Sequence, residues 1–359
     1  MIGLAQSKYE KIDLKSKQLP TDSFSYQEVA SYLTKDLKTS TAKARALYVW
    51  ISHNILYDMN QLRSPKKFAT SAERIEEVYQ SKMGVCQGYA ELFEAMCKVA
   101  KLNCVVVSGY TKDAYGNIPN ASHAWNVIEI DGDYYPLDLT WAAGYVDYGV
   151  FYPKFTDKYF LVPPEEFIKT HMPFDPIWQL SNQPISDKAF ILGDSTRLDT
   201  ALMFTYADSI ELYLRSNDDE RLEQKYRRIK HSDIEEVIAK EWQVHKVSEI
   251  QTSAFNLSSY YYSTSIQYFN TYINHKNKRF RKPKLEVSSI ENILNSANEA
   301  MLKSEKIFAS LSGIKDEELQ ALILESLKMR TAFERRLEEE NKFLFKYKKT
   351  WKPLRFFLF

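Results

Sequence analysis

HAWNVIEIDGDYYPLDLTW, residues 123–141, sets two strand-like runs on either side of an Asp-Gly pair. Such a pair favours a two-residue type I′ turn, which needs positive φ at both central positions. A turn centred on Asp131-Gly132 places Ile130 opposite Asp133, Trp125 opposite Asp138 and His123 opposite Thr140. Side chains two apart on a strand share a face, so His123, Trp125, Asp138 and Thr140 point the same way. His123 and Asp138 become diagonal neighbours with backbones about 7–8 Å apart, a gap two side chains can close to a hydrogen bond. A carboxylate accepting from one imidazole nitrogen fixes the tautomer and frees the other nitrogen to take a proton.

Such a base needs a nucleophile, and GVCQGYAELFEAMC, residues 84–97, supplies a candidate. Gly84 breaks the chain, and Cys86 then stands at the start of a helix whose buried stripe is Tyr89, Leu92, Phe93, Met96 and Ala100. A thiol at a helix N-terminus faces unpaired N–H groups and the positive end of the helix dipole, which favour the thiolate. Taken singly, Cys86 reads as a small packed hydrophobe, His123 as a satisfied histidine and Asp138 as a turn cap. Together, in the order Cys, His, Asp, they read as a thiol activated by an oriented base.

Other segments fill in the frame. Ser25-x-x-Glu28 is a capping box that opens a helix. In STAKARALYVWISHNILYD the residues Ala46, Val49, Trp50 and His53 share a face of a second helix. AERIEEVYQSK is a short third one. NCVVVSGYT, residues 103–111, is β-branched and short and reads as a buried strand. Residues 142–185, rich in aromatics, Pro and Gly, are expected to wrap this core as loops and edge segments. Helices followed by antiparallel strands make the first domain α+β. From about Leu198 the strand signals vanish, and helical periodicity with interspersed charge predicts an antiparallel bundle or a set of helical hairpins. The expected boundaries are an N-terminal extension over 1–20, a catalytic domain over 21–190 and a helical domain over 191–359.

Composition narrows the function classes. Lys and Arg number 48 against 47 Asp and Glu, a formal charge of +1, so bulk charge gives no reason to expect nucleic acid. Hydrophobic residues at 44% indicate a globular chain. No apolar run is long enough to span a membrane. The opening MIGLAQSKYE reads either as the clipped end of a secretory signal peptide or as an ordinary terminus; export is the reading adopted, with a cytoplasmic location left open. Cys86, Cys97 and Cys104 are too few for a disulfide framework, and Cys97 and Cys104 are expected as two buried thiols, one disulfide between them being the alternative. HKNKRFRKPK, residues 275–284, reads as a solvated basic connector, with contact to an anionic polymer as the sharper alternative. WKPLRFFLF, residues 351–359, is expected to dock back on the bundle, a partner or dimer contact being the other reading.

GVCQGYAELFEAMC, SHAWNVIEIDGDYYPLDLTWAAG and the downstream YFLVPPEEFIKTHMPFDPIWQL resemble the transglutaminase-like superfamily, most nearly the branch typified by the kyphoscoliosis peptidase. The resemblance covers about residues 25–190 and includes the helix before the cysteine, KARALYVWISHNILYD. It implies a papain-like core that performs acyl transfer with a Cys-His-Asp triad. The family's nucleophile, base and acid fall on Cys86, His123 and Asp138, and its flanking aromatics on Trp125 and Trp141. The expected enzyme is a cysteine peptidase or transglutaminase-type acyltransferase acting on peptide or Gln amide bonds, with no cofactor and no metal. Its oxyanion donors would include the Cys86 N–H, with Tyr57 as a second candidate; Trp125 and Trp141 are candidates for substrate contact. The expected partners are a protein or peptide substrate and a protein held by the helical domain. Two alternatives remain: a non-catalytic interaction scaffold on the same fold, and, if exported, a cell-wall amidase.

Overall fold

The computed structural model describes residues 2–18, 24–119, 121–193, 205–230, 240–311, 313–314 and 316–359. Among these the chain divides into two units, the first ending at Glu211 and the second starting at Leu212.

The first unit begins with α1 (Ile2–Gln18) and α2 (Tyr26–Thr34). α2 opens on the capping box: Ser25 N–H donates to Glu28 Oε2 at 2.8 Å, and Glu28 N–H donates to Ser25 Oγ at 3.3 Å. α3 (Ser40–Asn54) buries Ala46, Val49 and Trp50, but also every residue from Ala44 to Ser52. It is therefore enclosed on all sides, whereas His53 is exposed and stacks on Phe155 at 4.7 Å. A one-face reading understates a helix surrounded by neighbours. The buried Arg45 of α3 ties α1 in place, donating to Asp13 at 2.8 and 2.6 Å and pairing with Asp157 at 2.5 Å.

Next come β1 (Leu56–Tyr57), α4 (Met59–Arg63), α5 (Ser71–Ser81) and β2 (Met83–Gly84). β1 and β2 pair in parallel, with Tyr57 opposite Gly84. This short ladder delivers the chain to α6 (Cys86–Val99), whose Tyr89, Leu92, Phe93 and Met96 are buried, as is Ala100 just beyond it.

The sheet is antiparallel, in the order β5-β4-β3-β8. Its first three strands are β3 (Cys104–Thr111), β4 (His123–Ile130) and β5 (Asp133–Leu137). The hairpin register runs from Ile130 opposite Asp133 to Asn126 opposite Leu137. Asp131 and Gly132 carry φ of 56° and 93°, the positive pair that a type I′ turn demands. The expected strand over 133–141 is corrected at its end. β5 stops at Leu137, and Asp138 becomes the N-cap of α7 (Leu139–Ala143). Its Oδ1 accepts the Trp141 N–H at 3.0 Å, satisfying a donor of the helix's first turn. Thr140 thus lies in a helix, not opposite His123.

Residues 142–185 hold more regular structure than expected. β6 (Gly144–Asp147) and β7 (Val150–Pro153) form a separate hairpin, followed by α8 (Pro164–Phe167). β8 (His171–Pro173) then pairs with β3 as the fourth strand, and α9 (Asp187–Leu192) follows. Gly109 of β3 permits this arrangement. A Cβ there would lie 2.1 Å from Met172 O and 2.6 Å from the Trp125 ring, so the indole crosses the sheet only because position 109 has no side chain.

α10 (Tyr206–Arg215) spans the division between the units. The second unit continues with α11 (Asp218–Lys230), α12 (Lys240–Asn277), α13 (Val287–Phe308), α14 (Glu317–Lys349) and a 3₁₀ segment, Lys352–Leu358. The expected helical stretches over 199–204 and 231–239 lie outside the described residues. α12 and α13 meet through small residues: Ser258 Oγ donates to Ser304 O at 2.8 Å and Ser265 Oγ to Ala297 O at 2.7 Å. Phe269, Tyr272, Leu294, Phe333 and Leu337 fill the core around them. No described helix is long and apolar enough to cross a membrane.

Candidate active site

Each candidate side chain is fixed by a different element. Cys86 is the first residue of α6, preceded by Val85, which provides no side-chain cap. Val85 O accepts from Gly88 and Tyr89, so the Cys86 and Gln87 N–H groups precede the helix's own hydrogen bonds and are available to an incoming oxygen. His123 opens β4, and Asp138 closes the hairpin one residue after β5. Asn126 sets the spacing between α6 and β4. Completely buried, its Nδ2 donates to Ala90 O of α6 at 3.0 Å and to Val105 O at 3.3 Å.

His123 Nε2 lies 2.7 Å from Asp138 Oδ2. That leaves Nδ1 free of Asp138, and the imidazole acts on the neighbouring Cys86 thiol. Burial by itself would raise the Cys86 thiol; the hydrogen bond and charge of His123 and the Ala124 N–H outweigh it and hold the thiol below its ordinary range. Burial by itself would lower His123; the charge and hydrogen bond of Asp138, helped by Cys86, carry it up to about 10. For Asp138, burial opposes ionisation, yet His123 and His171 keep the carboxyl far below the usual carboxylate range. A thiol held below its ordinary range beside an imidazole raised above its own favours a thiolate–imidazolium pair oriented by a buried carboxylate. Cys86 is half-buried and the His123 side chain 10% exposed, whereas Asp138 is sealed from solvent.

His171 was not singled out from the sequence. Its Nε2 lies 3.1 Å from the same Asp138 Oδ2, and its Nδ1 lies 2.8 Å from Thr170 Oγ1. Burial pushes this imidazole down to about 4, with Asp138 opposing. Neutral His171 therefore donates Nε2–H to Asp138 and accepts from Thr170. Phe167 stacks on the ring at 3.9 Å, and Trp141 lies 4.6 Å away. One carboxylate thus serves two imidazoles, one charged toward the sulfur and one neutral behind it. The available signal was a His beside a hydroxyl residue in an aromatic-rich stretch, too weak to mark a three-residue strand.

The remaining candidates divide. The Tyr57 hydroxyl is raised by burial, then by the nearby Cys86 and Asp138 charges; it stays protonated and can donate. Its ring neighbours Phe151 of β7 at 6.0 Å. Trp125, at 1% exposure, packs between His123 and His171 at 6.2 and 5.2 Å, so it supports the imidazoles and offers no face to a substrate. Trp141 is half-buried, 5.7 Å from His123. The ligand atoms of His123, Asp138 and His171 fall within 4.8 Å of one another, a set with the chemistry to hold a cation; hydrogen bonds within the set occupy the same residues. Cys97 and Cys104 are free thiols, and burial and Cys97 raise the Cys104 thiol well above its usual range.

Residues 27–139 match the family model of the transglutaminase-like superfamily. Over 192 residues the chain is 33% identical to the kyphoscoliosis peptidase of Mus musculus, covering 51% of this chain and 28% of that protein. It is 28% identical over 188 residues to the Lim and transglutaminase domain protein ltd-1 of Caenorhabditis elegans, covering 45% and 24%. The chain spans less than a third of the length of these relatives. A solved structure of a TGase aligns at 15% identity with a TM-score of 0.26, over 45% of this chain and 38% of that one.

Proposed function

We propose that the transglutaminase-like domain formed by residues 27–139 and completed by the following strands is a cysteine-dependent acyl-transfer enzyme acting on peptide or Gln amide bonds. In this reading Cys86 is the nucleophile, His123 the acid and base, and Asp138 the group that orients the imidazole. The thiolate sulfur forms a bond to the amide carbon, and the carbonyl electron pair moves to oxygen. The oxyanion accepts from the Cys86 N–H, with the Tyr57 hydroxyl as second donor. As the C–N bond breaks, His123 passes its Nδ1 proton to the departing nitrogen, leaving a thioester and a neutral imidazole. Water or an amine then attacks the thioester; His123 takes the proton from the attacking atom, and the thiolate departs. Water gives hydrolysis, and an amine gives a new amide.

What supports this reading most is the 2.7 Å His123–Asp138 contact beside a half-buried thiol held below its ordinary range. The test is labelling by a peptidyl acyloxymethyl ketone. Labelling confined to Cys86 and abolished in His123→Ala is the expected result. Equal labelling of Cys86, Cys97 and Cys104, or labelling indifferent to His123, overturns it in favour of a binding scaffold. Mass-spectrometric products from a peptide library with added amine then separate cleavage from cross-linking.

A further inference from the structure

The two sequence features that the proposed reaction leaves unused, the basic stretch 275–284 and the apolar stretch 351–359, form one surface within the second unit. Six of the ten residues 275–284 are Lys or Arg, as are five of the eleven residues 345–355, and no Asp or Glu occurs in either stretch or from 341 to 359. In a chain of net charge +1 this is a strong local excess. Only part of it is neutralised: Lys276 pairs with Glu340 and Lys348 with Glu291. Lys278, Arg279, Arg281, Lys282, Lys284, Lys349 and Lys352 are exposed.

The loop and the tail are held together by aromatic contacts. Phe280, 3% exposed, plugs the core beside Tyr347 at 5.3 Å and Phe359 at 5.7 Å. Arg279 and Phe280 both adopt left-handed backbone, with φ of 51° and 55°, a conformation disfavoured for such side chains. The anchored phenylalanine holds it and leaves the arginines on either side outside. Their guanidinium carbons lie 4.6 and 5.9 Å from the Phe356 ring. Leu358 and Phe359 pack back on the bundle, as the sequence suggests, but Trp351 is 70%, Leu354 50% and Phe357 78% exposed.

We propose that this face binds the surface of an anionic lipid bilayer. Large apolar side chains on a short helical segment, ringed by Lys and Arg, match a headgroup interface: the rings and the leucine enter the acyl boundary while the cations stay at the level of lipid phosphate and carboxylate. Trp is favoured at that depth. A second copy of the chain would bring like charges together. Nucleic acid would reward the cations and the rings but leave Leu354 without a matching surface. The helical unit thereby acquires a role as the element that brings the chain to a membrane face.

The test is co-sedimentation of the full chain with vesicles of phosphatidylcholine alone, and of phosphatidylcholine and phosphatidylserine at roughly 7:3. The expected result is binding to the mixed vesicles, weakened by salt and reduced about tenfold in both Arg279→Gln/Lys282→Gln and Trp351→Ala/Phe357→Ala. Quenching of tryptophan emission by brominated lipid should also fall in Trp351→Phe. Soluble glycerophosphoserine should not compete. Equal binding to both vesicle types, or no binding, overturns the proposal. So does sensitivity to the charge variant alone with displacement by duplex RNA, which points to a nucleic-acid surface. So does a concentration-dependent dimer abolished by Trp351→Ala/Phe357→Ala. All four substituted side chains are exposed, and unchanged thermal melting verifies that the variants fold.

Discussion

Arg45 and Arg279 carry the same charge against aromatic rings, yet they belong to opposite kinds of surface. Arg45, in the first unit, is 3% exposed, held by Asp13 and Asp157 and flanked by Tyr9, Phe155 and Phe160. Arg279, in the second, is exposed and has one ring beneath it, that of Phe356. At Arg45 charge is internal and paired, and it fixes architecture; at Arg279 it is displayed. The same contrast separates Asp138, which serves two imidazoles while itself sealed from solvent, from the basic face that has no acid of its own stretch to neutralise it. Burial, rather than residue type, decides whether an ionisable side chain is architecture or contact surface.

The internal side of this contrast should break most severely at the proposed triad. Asp138→Asn removes the charge that raises His123 and disturbs the tautomer, so kcat/KM for a peptide substrate should fall by roughly 10³–10⁴-fold. Cys86→Ala should leave no measurable turnover. If Asp138→Asn retained more than about a tenth of the activity, the carboxylate would not be orienting the base.

A smaller but still large loss is expected at Arg45. Arg45→Leu leaves Asp13, 18% exposed, without its buried partner, and a destabilisation of about 3 kcal/mol should appear in urea unfolding. Adding Asp13→Asn should recover part of it, because the orphaned charge is then gone. No recovery would mean that the loss comes from the cation–ring packing.

How these elements were legible in the sequence follows from the range of the forces that set them. The hairpin register was readable because Asp131-Gly132 specifies its turn locally, and the α6 stripe because its large apolar side chains recur at helical spacing. The overshoot at 138–141 arose because an Asp can either continue a strand or cap a helix; here the first-turn N–H of Trp141 decided the matter. β8 was not readable as a strand: three residues carry no periodicity, and His171–Pro173 is extended because β3, sixty residues earlier, offers an open edge. His171 was hidden for the same reason. Its meeting with Asp138 is a product of sheet order, which no local pattern encodes.

His171 gives a subtler prediction. His171→Phe keeps a flat ring against Phe167 but deletes the donor to Asp138 Oδ2. Activity should fall about tenfold, the scale of one supporting hydrogen bond. The pH profile discriminates positioning from simple loss of packing. On the proposed mechanism the acid limb marks formation of the thiolate, below the ordinary thiol range, and the alkaline limb marks loss of the imidazolium near pH 10. An Oδ2 no longer shared should hold the His123 proton more tightly and move the alkaline limb upward. A lower rate with an unmoved limb would assign His171 a packing role only.

The displayed side of the contrast should yield the smallest effect. Arg279→Gln and Lys282→Gln should each change the unfolding free energy by less than about 0.5 kcal/mol, because neither side chain is buried and the contact of Arg279 with Phe356 is a solvent-screened cation–ring contact. The loop's conformation rests on Phe280 in the core, so the arginines can be removed without releasing it. A loss of about 1 kcal/mol or more at Arg279 would mean that the cation holds the 3₁₀ segment in place, and that the basic face is part of the second unit's own packing. An unchanged melting curve together with altered vesicle binding would separate the two uses of arginine in this chain, since a structural cation cannot be removed silently and a contact cation can.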